Sequence, residues 1–178
     1  MYYMLEDPIA TMLGDWSSEL GAGAIIFRII ISIIFSAIIG CERSIKRHSA
    51  GLRTFILVSL ASTIAMLIDL YLMQDFGVVF AFLSTATIIS TAMLSGNSIL
   101  FTSKNQIKGL TTSVGLWAAG IVGLSIGAGL YTVTTVSFIA LICILYIFPK
   151  FEATLKDSSN HFEIHLELKN LKPIWTEI

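Results

Sequence analysis

Glu42, Arg43, Lys46, Arg47 and Arg53 place one acid among four bases within a twelve-residue stretch. A lone carboxylate in that company is expected in an ion pair, and the remaining positive charge suits an anion. Gly51 opens the apolar run that follows, where the first backbone N–H groups of a helix have no partners inside it. With Arg53 and Thr54 beside them, those N–H groups form a donor set fit for a phosphate or carboxylate. The same residues also read as topology-setting charge in contact with lipid headgroups. Both readings stay open at this level.

Charges inside apolar runs raise a second question, because an ionised group in a bilayer is expensive and marks a function by default. Arg28 lies near the start of the first run and Asp69 near the end of the second. Arg28 can reach the interface along its own stem, and a structural Arg28–Asp69 pair weighs equally with a functional site. Asp69 with Asp75 offers two carboxylates, and a magnesium ion often takes no more from a protein while keeping several waters. Asn97 is an amide at depth that needs partners. It extends a hydroxyl-rich stretch containing Ser84, Thr85, Thr87, Ser90, Thr91 and Ser95.

Cys41 and Cys143 sit inside apolar runs and read as small helix residues rather than a disulfide or metal framework. The chain shows no zinc spacing, P-loop, nucleophile elbow or dinucleotide fingerprint. No cofactor and no nucleic-acid partner are implied, and the expectation is a protein that is not an enzyme. Small residues recur at four-residue spacing in Ser32-Ser36-Gly40, Thr87-Thr91-Ser95 and Ala119-Gly123-Gly127. Such ridges let helices approach closely, either within one bundle or in a homo-oligomer, and hydroxyls can hydrogen-bond across them. A polar pathway along the hydroxyl-rich stretch is the sharper alternative.

The elements that must position these residues are membrane helices. Hydrophobic residues make up 55% of the 178, charged residues 13%, and the mean hydropathy is +0.83. A soluble domain carries about 25% charge. The acidic start, with Glu6, Asp7, Asp15 and Glu19, is wrong for a signal peptide, so the first apolar run is expected to remain as an anchor. Runs of about 17–25 apolar residues span a bilayer, and five are expected at 24–41, 54–73, 77–100, 112–128 and 130–148. The last two form one block, divided at Gly127-Ala128-Gly129. The expected fold is therefore an all-α membrane bundle of about five helices. It comprises an extracytoplasmic segment 1–23, a transmembrane domain 24–148 and a short cytoplasmic tail 149–178.

Basic residues set the sidedness. Arg43, Lys46, Arg47 and Arg53 flank the first connection, Lys104 and Lys108 the third, and Lys150 and Lys156 follow the last run. The opposite ends hold Asp69, Asp75 and the acidic amino terminus. Positive loops stay in the cytoplasm, which predicts the amino terminus outside and the carboxyl terminus inside. In the tail, residues 161–169 alternate polar and apolar with a period of two, an amphipathic strand pattern that needs a pairing partner.

Ordered pieces of the chain resemble the MgtC/SapB family of bacterial inner-membrane proteins. They are Arg28, Gly40-Cys41-Glu42-Arg43, Ala50-Gly51-Leu52-Arg53-Thr54, Gly109-Leu110-Thr111-Thr112, Trp117-Ala118-Ala119 and Gly127-Ala128-Gly129-Leu130-Tyr131. Where such families carry a glycine-rich third helix, this chain reads Ile89-Ser90-Thr91-Ala92-Met93-Leu94-Ser95-Gly96. Phe55 stands where a histidine is expected, and only an apparent first strand of an ACT-like tail domain is present. The resemblance implies an inner-membrane regulator in adaptation to low magnesium and, in pathogens, in virulence. It implies action through other membrane machines such as ATP synthase. A small oligomeric cation transporter or channel is the alternative.

Overall fold

A computed structural model describes residues 7–17, 20–45, 50–97, 100–101 and 107–158. A short helix α1 (Pro8–Leu13) and a 3-10 turn (Asp15–Ser17) precede α2 (Ala22–Ile45), α3 (Leu52–Phe76) and α4 (Phe82–Gly96). The strands β1 (Leu100–Phe101) and β2 (Ile107–Lys108) pair antiparallel, and α5 (Leu110–Gly127) and α6 (Tyr131–Ser158) follow. Two compact units result, Met1–Ile142 and Cys143–Ile178. Within the second, α6 continues through Pro149 to Ser158. The alternating stretch at 161–169 lies outside the described residues.

Four helices, α2, α3, α5 and α6, are long and apolar enough to cross a membrane. At about 1.5 Å per residue they rise about 36, 38, 27 and 42 Å, against a hydrocarbon layer about 30 Å thick. The third expected span, 77–100, is shorter than anticipated. It forms α4, whose 15 residues rise only about 22 Å. Both its flanks are used elsewhere: Gly77 at φ +64° closes α3, and Leu100–Phe101 turns into the β-ribbon.

Helix α2 is amphipathic in the inverted sense. On α2 the buried positions include Ala24, Arg28, Ser32, Ser36 and Gly40, one face at four-residue spacing. Ile26, Ile30, Ile33, Ile34 and Ile38 point outward. On α2 small and polar side chains therefore make most of the inner face and isoleucines most of the outer one, as close helix approach in a membrane requires.

The interior contacts fix the direction of each helix. Gly40 of α2 packs on Leu52 and Phe55, and two turns earlier Ser32 Oγ lies 3.0 Å from Ser59 Oγ and 2.8 Å from Thr63 Oγ1, so α2 and α3 run antiparallel. Thr63 Oγ1 also reaches the Gly123 carbonyl at 2.9 Å. Along α5, Gly115 faces Phe55, Gly123 faces Ser59 and Gly127 faces Thr63, so α5 runs parallel to α3. Helix α4 runs back from Asp69 near its start to Ser113 near its end. The opening turns of α6 follow α2, with Phe138 stacked on Phe35 at 4.2 Å between ring centroids.

Gly123 shows why the small ridges matter. A methyl group there would sit 2.3 Å from the Ser59 carbonyl oxygen, so α3 and α5 meet backbone to backbone. The ridges of α2, α4 and α5 are thus at least partly consumed inside this bundle.

Candidate functional site

Arg28 and Asp69 do not pair with each other, because each completes a helix terminus. Arg28 is 2% exposed and donates through Nη1 to the Gly127 carbonyl and through Nη2 to the Ser17 carbonyl, both at 2.9 Å. Its Nε donates to Tyr131 Oη at 3.3 Å, and Tyr131 Oη donates to Ser17 O at 3.0 Å. A guanidinium at the end of α5 meets carbonyls that have no partner within the helix and the negative end of its dipole.

The chain turns there through Gly129, at φ +79°. The Gly129 N–H bonds Ile126 O and the Leu130 N–H bonds Ser125 O, the paired pattern that ends a helix at a left-handed glycine. A Cβ on residue 129 would lie 2.7 Å from Arg28 Nη2.

Asp69, 1% exposed, performs the converse task for α4. The N-cap residue of that helix is Ala81, which supplies no side-chain acceptor. Asp69 accepts instead from the Leu83 N–H at 3.0 Å and the Ser84 N–H at 2.6 Å, satisfying amides at the positive end of the helix. Asp75, by contrast, is exposed. No group of three or more His, Cys, Asp or Glu suited to a metal ion occurs among the described residues.

Asp7, absent from the sequence reading as a candidate, caps two helices at once. It accepts from the Ile9 and Ala10 N–H groups of α1 and from the N–H of Thr132 in α6 at 3.0 Å. Thr132 Oγ1 donates to it as well. Burial alone would raise its carboxyl pKa, but the bonds from Thr132, Ala10 and Ile9 prevail and hold it below the ordinary 3.8.

At the opposite end, Glu42 and Arg43 are 2% and 3% exposed, with Arg43 Nε 3.0 Å from Glu42 Oε2. The lone acid therefore pairs with its neighbour in sequence. Gly51 is the N-cap of α3 and offers no side-chain cap, while Arg53 and Thr54 in the first turn are exposed. Asn97, at the end of α4, is exposed as well. In the first turn of α5, Thr111 faces outward and Thr112 is 1% exposed. The Thr112 hydroxyl has no hydrogen-bond partner among the described residues. Trp117 is 39% exposed on the outer face of α5.

The candidates thus divide between a sealed end, around Arg28 and Asp69, and an open end, around Arg53, Thr54 and Asn97. Sequence reasoning missed the α3 stripe of Phe55, Ser59 and Thr63, although its four-residue spacing matches that of Ser32 and Ser36 on α2.

Two adjoining cavities run along the α3–α4 seam toward the open end. The first, about 450 Å3, is walled by Leu57, Ala61, Leu83 and Ala86 among others. The second, about 280 Å3, reaches Thr54 and Asn97 and shares Val58, Thr91 and Leu94 with the first.

The MgtC family model matches residues 29–154. A protein of Escherichia coli strain K12 named "Putative magnesium transporter YhiD" is 26% identical over 79% of this chain and 68% of its own length. SapB of Bacillus subtilis is 26% identical over 70% of this chain and 56% of its own length. MgtC of Brucella abortus is 27% identical over 64% of this chain and 46% of its own length. No solved structure gives a significant match. On the family match and its long apolar helices, this chain is a multi-pass membrane protein belonging to the MgtC family.

Proposed function

We propose that this chain is a regulatory protein of the bacterial inner membrane, active in adaptation to low magnesium or virulence-related stress, that docks on other membrane proteins. ATP synthase is the kind of machine the family resemblance implies as its partner. One observation carries the reading: the buried charges serve the bundle itself. Arg28 holds carbonyls at the end of α5 and before α2, and Asp69 holds amides at the start of α4. Those side chains are structural clasps rather than the lining of an ion path. Five passes are part of the proposal, with α4 returning between the levels of Asp69 and Ser113. The amino terminus is then outside and the carboxyl terminus in the cytoplasm.

The test is growth in limiting magnesium, comparing a deletion strain with strains complemented by wild type, Glu42→Ala and Arg53→Ala. Rescue by wild type alone, with all three proteins present in the membrane, fits the reading. A deletion without phenotype contradicts it.

A second reading, a small oligomeric cation transporter, is favoured by the name of the Escherichia coli relative and by the buried Ser32–Ser59–Thr63 hydroxyl cluster. Proteoliposomes that admit no more magnesium, protons or potassium than empty vesicles would sink it.

A further inference from the structure

We infer that the seam between α3 and α4 is a binding groove for one acyl chain of an anionic phospholipid, its headgroup held by Arg53, Thr54 and Asn97. Length and lining suit that occupant. From Leu83 to Leu94 the larger cavity follows α4 for about 16 Å, close to the depth of one leaflet of a hydrocarbon layer about 30 Å thick. A methylene chain lying along the groove would meet a mostly apolar wall over that length.

The chemistry changes along the groove. Its deeper part is walled by Leu57, Ala61, Leu83 and Ala86. The adjoining cavity opens beside Thr54 and Asn97, whose polar side chains line it. Exposed Arg53 neighbours Thr54 in the first turn of α3. An apolar slot ending in donors and positive charge complements an amphiphile with an anionic head, and basic pockets between membrane helices hold such headgroups.

The full chain, purified in mild detergent, would be offered equal amounts of phosphatidylglycerol and phosphatidylcholine with identical acyl chains and examined by native mass spectrometry. Wild type is expected to retain phosphatidylglycerol at least about fivefold over phosphatidylcholine, the factor that one basic residue supplies near a membrane surface. Arg53→Gln should lower that preference about fivefold, and Ala86→Phe should reduce retention of both lipids by filling the slot. Ala86 is exposed, and Ala61→Phe blocks the groove from the α3 side if the first variant fails to fold. Equal retention of the two lipids by wild type overturns the inference. So does unchanged retention after the groove is blocked. A dimer that Ala86→Phe abolishes while lipid retention persists also overturns it, assigning the groove to a second copy of the chain.

Discussion

Replacing Gly123 by alanine should pry α3 from α5, while the same change at Gly115, two turns earlier on the same helix, should be harmless. At Gly123 the new methyl would meet Ser59 O at 2.3 Å and two further backbone atoms at 3.0 Å. The neighbours are backbone, so no side-chain rotation relieves the clash, and the helices must part by about 1 Å to restore ordinary contact. Overpacking of this kind costs about 1–3 kcal/mol. Weakening the Thr63–Gly123 hydrogen bond adds about 1 kcal/mol. The better helix propensity of alanine returns about 1 kcal/mol.

The expected net loss at Gly123 is therefore about 1–3 kcal/mol. At Gly115 the methyl would rest 3.6 Å from the Phe55 ring, an ordinary contact, leaving a gain of up to about 1 kcal/mol. The assay is reversible unfolding in mixed micelles of dodecyl maltoside and sodium dodecyl sulfate, followed by tryptophan fluorescence. A Gly123→Ala protein as stable as Gly115→Ala would refute the packing described for α3 and α5.

Three further predictions concern the helix termini. Arg28→Ala leaves the Gly127 and Ser17 carbonyls without their guanidinium donors and should cost about 3 kcal/mol or more, read by the same unfolding titration. A loss below about 1 kcal/mol would mean that the α5–α6 corner does not depend on this residue. Asp69→Asn retains one acceptor but loses the charge facing two amides, and should cost about 1–3 kcal/mol. Hydrogen exchange should then quicken at Leu83 and Ser84, and unchanged protection there would argue against the cap. For Asp7 the folded pKa lies below the unfolded one, so its stabilisation is present above the unfolded value. That stabilisation is lost as pH falls through the folded value, below about pH 4. Protection of the Thr132 amide should therefore hold from about pH 5 to 8 and fade in acid. Asp7→Asn should weaken it throughout, and the same acid profile in that variant would exclude Asp7 as the titrating group.

Much of this architecture was legible in residue types and spacing. The division at Gly127-Ala128-Gly129 follows from length, and the structure ends α5 and reverses the chain there through a left-handed glycine. Four-residue spacing identified Ser32, Ser36 and Gly40 as one face of α2, and they are buried together. The roles of the charges were less accessible. Periodicity places Arg28 and Asp69 near one end of the bundle, but opposite sign suggests a pair, whereas each answers to the terminus of a different helix. Those termini are set by tertiary approach, which spacing along one helix does not encode. Hydropathy also overestimated the third span, because Val78, Val79 and Phe80 are apolar without belonging to α4. The exposure of Arg53 and Thr54 beside a buried Glu42–Arg43 pair required the fold as well.

The central claim, that the protein acts by docking on another membrane protein, is tested most directly by in-cell cross-linking and purification from cells grown in limiting magnesium. A membrane protein captured reproducibly with wild type, and reduced with Arg53→Ala at equal abundance, is the predicted result. An isolated homo-oligomer, cross-linked to itself alone under those conditions, would contradict it.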